Sequence, residues 1–125
     1  MCVFCELNKE DYIFENETCF AKYDNYPVSP GHILIIPKRH FPSFFTATIK
    51  ECSDILKLIN ICQEHITQIY NPDGFNLGIN VGKTAGQTIM HLHIHLIPRY
   101  VGDIEDPRGG VRGVIPDKRI YYAQK

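Results

Sequence analysis

Three histidines alternate with large aliphatic residues in His91-Leu92-His93-Ile94-His95-Leu96-Ile97. Side chains of an extended strand point alternately to its two faces. An extended backbone from Met90 to Ile97 therefore predicts His91, His93 and His95 in a row on one face, with Leu92, Ile94 and Leu96 in a core on the other. Three imidazoles in register are titratable near neutral pH, and packing alone does not call for them. Two chemistries fit. His-x-His on a strand suits a metal, and histidine with cysteine suits zinc. A hydrolytic zinc site also wants a carboxylate base, yet no Asp or Glu occurs between Gly74 and Asp103. The other chemistry is covalent. A neutral imidazole attacks phosphorus or acyl carbon at pH 7, and flanking donors would stabilise the charge that develops.

The elements that must position this row can be read from spacing. Thr18 to Tyr23 reads as a strand, followed by the turn-rich stretch Asp24 to Gly31. His32-Ile33-Leu34-Ile35-Ile36 is a β-branched strand stopped by Pro37. Thr48 with Glu51 forms a capping box. Ile49, Cys52, Ile55, Leu56, Ile59, Cys62, Ile66 and Ile69 then follow at helical spacing until Asn71-Pro72-Asp73-Gly74. On this helix Cys52 and Cys62 are expected in the core and His65 toward solvent. A shorter helix is expected within the first twenty residues. Phe75 to Val81 alternates, with Asn76, Gly78 and Asn80 at even positions, and Gly82 to Gly86 is a turn. Two strands joined by a short turn pair antiparallel. Asn76 and Asn80 should then share the histidine face, while Leu77, Ile79, Leu92 and Ile94 pack on the long helix. This is an α+β sandwich with one functional sheet face.

Composition excludes several classes. The 125 residues suit one domain, 1–125, with a real core. With 44% hydrophobic and 22% charged residues the chain is globular rather than disordered. A net charge of −1 offers no basic field for nucleic acid. No apolar run approaches a membrane span, and Met1-Cys2-Val3-Phe4-Cys5-Glu6 lacks the form of a signal peptide. Five cysteines, an odd number, read as reduced thiols or metal ligands. A cytoplasmic protein is expected.

The stretch from Ala85 to Arg99, with Gly86-Gln87-Thr88 ahead of the three histidines, resembles the signature of the histidine triad (HIT) family of nucleotide hydrolases and transferases. The likeness extends through Pro30 to His40 and Cys2-Val3-Phe4-Cys5, so that it covers essentially the whole chain. It implies a HIT-like fold, with an antiparallel sheet of about five strands and one long and one shorter helix on one face. The activity implied is a two-step reaction at the α-phosphorus of an adenosine- or guanosine-type nucleotide, through a nucleotidyl-histidine, in a homodimer. The substrates implied are dinucleoside polyphosphates or nucleoside 5'-phosphoramidates.

By position, the resemblance makes His93 the nucleophile and puts His95 on the phosphate or leaving-group side. Gln87 and Thr88 match residues that bind phosphate oxygens, and Asn80 one that contacts the phosphate or leaving group. Asp24 falls where the ribose hydroxyls are held, and His32 near the nucleotide pocket. Cys2-x-x-Cys5 has the spacing of half a zinc site. In zinc-containing members His40 and His91 match the positions that complete it, which makes the zinc structural. Pro98-Arg99 and the lack of Trp are similar to the dinucleoside-polyphosphate branch. Arg108 and Arg112 are read as a solvated loop. Two other readings fit the same residues: a nucleotide-binding regulator of low turnover, and a zinc protein whose metal site is the histidine row itself.

Overall fold

Short β-branched and aromatic runs bounded by Pro, Gly and Asn build the sheet, and one capped amphipathic segment builds the helix. The computed structural model describes residues 1–121. Its strands are β1 (Phe14–Glu15), β2 (Cys19–Tyr23), β3 (Ile33–Pro37), β4 (Gly74–Ile79) and β5 (Ile94–Arg99), with helix α1 (Ile49–Tyr70) between β3 and β4. The five strands form one sheet in the order β1-β2-β3-β5-β4, every pair antiparallel.

Register sorts the side chains between two faces. Ala21, Ile35, Ile94 and Ile79 stand in one cross-strand row. They face α1 and form the main core with Ile55, Leu58, Cys62, Ile66 and Leu92. Lys22, Leu34, His95 and Gly78 form the neighbouring row on the opposite face. There Phe4, Phe20, Leu34 and Ile36 make a second, smaller core under the N-terminal segment. Helix α1 therefore covers one face, and the other is left for chemistry.

The capping box is present. Thr48 Oγ1 accepts from the Glu51 amide at 3.0 Å, and Glu51 Oε1 accepts from the Thr48 amide at 2.9 Å. The helix ends at Asn71, whose φ of 48° is the left-handed conformation that Asn tolerates. Its buried face differs from the apolar spacing. Ile49, Leu56 and Ile69 are exposed, whereas Glu51 and Asp54 are buried. Both acids have partners that sequence spacing does not place. Arg39 pairs with Glu51 at 2.8 Å, and Thr18 Oγ1 donates to Asp54 at 2.7 Å. His65 also turns inward, within 2.8 Å of the Tyr23 hydroxyl and edge-on to Phe14. Cys62 is fully buried and Cys52 only partly. Burial pushes the Cys62 thiol up to about 12 and Cys19 to about 11, which leaves both inert.

Other departures have local causes. The shorter helix is a single 3-10 turn, Lys9–Asp11. Leu77 is exposed because β4 is an edge strand and α1 does not reach over it. Asn76 spends its amide oxygen on Arg99 at 2.6 Å. After Arg99 come two 3-10 turns, Gly110–Val114 and Pro116–Lys118, with Arg108 held by Asp106 and Arg112 by backbone carbonyls. No described helix is long and apolar enough to cross a membrane.

Candidate active site

The sheet ladder in β5 begins at Ile94, so the triad straddles its end. His95 lies within the strand, His93 just before it and His91 in a bend. Consequently the three imidazoles do not line one wall. His93 and His95 remain neighbours, their rings 5.1 Å apart. The His91 ring is fully buried and turns toward the N-terminal segment. Leu92 between them is clamped by its amide, which donates to the Phe41 carbonyl at 2.7 Å.

Hydrogen bonds fix the tautomers. His93 Nδ1 lies 2.9 Å from the His91 carbonyl oxygen. A carbonyl only accepts, so Nδ1 carries the proton and Nε2 keeps a lone pair. His93 lines a cavity of about 520 Å³ together with His95, Asp24, Asn80, Thr88 and Lys22. The second chain of bonds begins at Val28, whose amide donates to His32 Nδ1 at 3.1 Å. The His32 proton is then on Nε2, which donates to His95 Nδ1 at 3.0 Å and lies 3.5 Å from Asp24 Oδ2. His95 must therefore hold its own proton on Nε2. Burial keeps both rings neutral. It lowers His32, against the opposing pull of Asp24, and takes His95 down to about 4, helped by His93 and His32. A lone pair and an N–H donor thus stand side by side at one wall.

A second cavity, about 400 Å³, shares Asp24, Tyr26, Asn80 and His95 with the first and continues past His32, Gly78 and Ile97. His95 sits where the two meet, so a ligand could extend to either side of it. Phe4 closes the site from the N-terminus, packed edge-on at 5.2 Å against His93 and 5.7 Å against His91.

Of the residues singled out by sequence, Asp24, Asn80, Thr88, His93 and His95 line the first cavity, and His32 lines the second. Gln87 does not reach either. It is buried, its Oε1 accepts from the Gly82 amide, and its Nε2 donates to the Pro42 and Ile89 carbonyls. Its side chain is used up in holding the loop that presents Thr88. The sequence reading passed over Lys22 and Tyr26. Lys22 carried a signal, because it lies two residues before Asp24 on an alternating strand and so shares its face.

Cys2, Cys5, His40 and His91 converge on the far side of His91, each offering a ligand atom within 4.8 Å of the others. His91 Nδ1 is 3.4 and 3.5 Å from the Cys2 and Cys5 sulfurs and 3.1 Å from His40 Nδ1. A tetrahedral zinc with ordinary bond lengths needs S···N edges of about 3.6 Å and N···N edges of about 3.3 Å. The other nitrogen of His91 donates to the Pro37 carbonyl at 2.7 Å, which presents the lone pair of Nδ1 to the thiols. Donor types, spacing and tautomer all fit zinc.

The chain is similar to known proteins in sequence and in fold. Residues 6–102 match the family described as HIT domain. A bis(5'-adenosyl)-triphosphatase of Dictyostelium discoideum is 36% identical over 80% of this chain and 67% of its own length. An adenylylsulfatase HINT3 of Arabidopsis thaliana is 35% identical over 78% of this chain, which spans only 52% of that protein. Among solved structures, a zinc-bound histidine triad family protein from Mycobacterium smegmatis superposes with a TM-score of 0.73 at 32% identity, covering 82% of this chain and 77% of that one. With the family's domain matched over most of its length, its five-stranded sheet and its histidine pair, the chain belongs to the HIT domain family.

Proposed function

We propose that this protein hydrolyses or transfers a nucleotidyl group, with His93 as covalent nucleophile at the α-phosphorus. One observation carries the reading: His93 Nδ1 is tied to the His91 carbonyl, so that in the neutral ring the lone pair is on Nε2 and His93 lines the cavity. Nε2 attacks the α-phosphorus, and the bond to the leaving group breaks with its electron pair going to that group: a phosphate leaves as its anion, and a phosphoramidate nitrogen takes a proton from water and leaves as the amine. His95 Nε2–H donates to the oxygen on which the negative charge gathers. Water then attacks the nucleotidyl-imidazolium, the P–N bond returns its pair to Nε2, and the proton from water is released. Asp24 holds the ribose hydroxyls, and Thr88 and Asn80 bind phosphate oxygens. Gln87 acts by fixing the loop beneath them. The relatives' names support nucleotide hydrolysis, and the two joined cavities suit a dinucleoside polyphosphate or a nucleoside 5'-phosphoramidate.

Cys2, Cys5, His40 and His91 would hold one zinc, whose contribution is to tie the N-terminus and the segment after Pro37 to the triad. A metal on the histidine row itself is disfavoured, because the His91 ring points away from His93 and His95. A second copy of the chain suits the face beside β4, where Leu77, Ile55, Leu56, Ile59 and Cys52 line an open apolar groove next to an unpaired strand edge.

The test is chemical trapping. Incubation with an α-labelled adenosine or guanosine 5'-phosphoramidate and a denaturing quench at alkaline pH should leave a labelled adduct that is base-stable and acid-labile. His93→Ala should leave none and lose at least ~10³-fold in kcat/KM. Turnover that persists in this variant, or a wild-type protein that binds nucleotide without forming an adduct, sinks the reading.

A further inference from the structure

Lys22 is a buried lysine, 7% exposed, on a face otherwise built from Phe20, Leu34 and Ile36. Among the described residues no carboxylate lies within ion-pair distance of its ammonium. Nζ donates to the Tyr23 carbonyl at 2.8 Å and to Asn25 Oδ1 at 3.0 Å. An ammonium has three N–H donors, so one is left over, and Lys22 lines the larger cavity. A buried charged donor without an acceptor is costly, and such groups in cavities mark ligand contacts.

Its position in the sheet says which part of a ligand it meets. Lys22, Leu34 and His95 occupy one cross-strand row on three successive strands. Two strand spacings place Lys22 about 9.5 Å from His95 along that row. The same cavity has an apolar wall, formed by Val3, Phe4, Leu34 and Ile89, and Leu34 stands beside Lys22 on the next strand. That is the setting for a flat base rather than for phosphate. Two polar groups of this cavity, Lys22 and Asn25, offer donors to a ligand. Because Lys22 can only donate, the Asn25 amide must turn its oxygen toward Nζ, which leaves the Asn25 NH2 as a second donor.

We propose that Lys22, with Asn25, selects a 6-oxopurine base, so that the protein prefers guanosine nucleotides to adenosine nucleotides. Guanine presents two adjacent acceptors, O6 and N7, the pair that lysine commonly reads. Adenine places an amino donor where O6 would be. Adenine still offers N7, but of the two donors here, Lys22 and Asn25, one would face the adenine amino group and go unpaired. A site built to hydrogen-bond one group discriminates strongly against a ligand that lacks it. The proposal rests on the nucleotide reading above and adds the base to it.

The experiment measures GMP and AMP affinities by calorimetry on zinc-loaded wild type, Lys22→Met and Lys22→Gln. It also measures kcat/KM for guanosine and adenosine 5'-phosphoramidates. Wild type should favour guanosine by about tenfold or more, the scale of one buried charge-assisted hydrogen bond. Lys22→Met should bring the ratio to within about twofold by weakening the guanosine side. Lys22→Gln, which can accept as well as donate, should recover adenosine. A wild-type ratio near one overturns the proposal whether or not the variants fold. So does a ratio that survives in folded Lys22→Met, or an equal loss on both nucleotides, which would make Lys22 a phosphate contact. Selective GMP binding without phosphoramidate turnover would sink the hydrolase reading and leave this one standing. Failure to bind either nucleotide would end both.

Discussion

The carbonyl oxygen of His91 accepts the Nδ1 proton of His93 at 2.9 Å, while the ring of His91 faces the other way, toward Cys2 and Cys5. One residue thus orients His93, the proposed nucleophile, through its backbone and joins the candidate zinc cluster through its side chain. Whatever fixes the His91 ring also fixes the carbonyl that sets the His93 tautomer.

Removing the metal should therefore slow the chemistry as well as lower stability. Cys2→Ala is expected to lower zinc content from about one per chain to a small fraction. A site filled at a hundredfold excess over Kd stabilises by about 2.7 kcal/mol, so Tm should fall by roughly 10 °C. The His93 adduct should still form, about tenfold more slowly, as expected when the outer support of a site is loosened. Metal analysis, calorimetry and adduct kinetics on one sample check all three.

His95 makes the site sensitive to acid in a defined direction. It is surrounded by His93, His32 and Asp24, and burial holds it near 4 in the folded protein, whereas a free histidine titrates near 6.5. Between these values the unfolded chain binds the proton and the folded chain does not. Stability is then fully present above about 6.5 and falls as pH drops toward 4. Urea denaturation at pH 7 and pH 5 should show this loss in wild type and a smaller one in His95→Asn. The donor role of His95 should be level from pH 8 to 5, since its neutral form persists throughout.

Gln87→Ala should cost stability as well as rate. It strands the Gly82 amide and the Pro42 and Ile89 carbonyls, all satisfied by one buried side chain. Leaving buried polar groups unpaired costs about 1–3 kcal/mol. Thermal denaturation should register the loss, and KM should rise as the loop carrying Thr88 loosens. An unchanged Tm with a raised KM would instead mean that Gln87 touches the phosphate directly.

Association should depend on Leu77. Placing a charge in the apolar groove with Leu77→Glu should convert a dimer to a monomer in analytical ultracentrifugation, with far-UV circular dichroism unchanged. A wild-type protein that sediments as a monomer at all concentrations removes the groove as an interface.

Much of this was legible in sequence where local rules suffice. The capping box, the helix span and the pairing of β4 with β5 follow from contacts between near neighbours. The inward turn of Glu51 and Asp54 did not, because Arg39 and Thr18 are brought to them only by the fold. The histidine row was misread for a related reason. Alternation holds only inside a ladder, and the ladder starts at Ile94, so the ring of His91 answers to Cys2, Cys5 and Pro37 instead. Gln87 looked like a ligand contact because a sequence does not show which side of a loop its side chains fill.

Gly78 stands opposite His95 on the edge strand. A Cβ added there would meet no heavy atom within 4 Å, so packing does not demand glycine. What its bareness preserves is the width of the second cavity, between His95, Ile97 and His32. A bulkier residue would narrow that aperture without disturbing the scaffold, so the bulk of whatever enters there is open to change by a single codon.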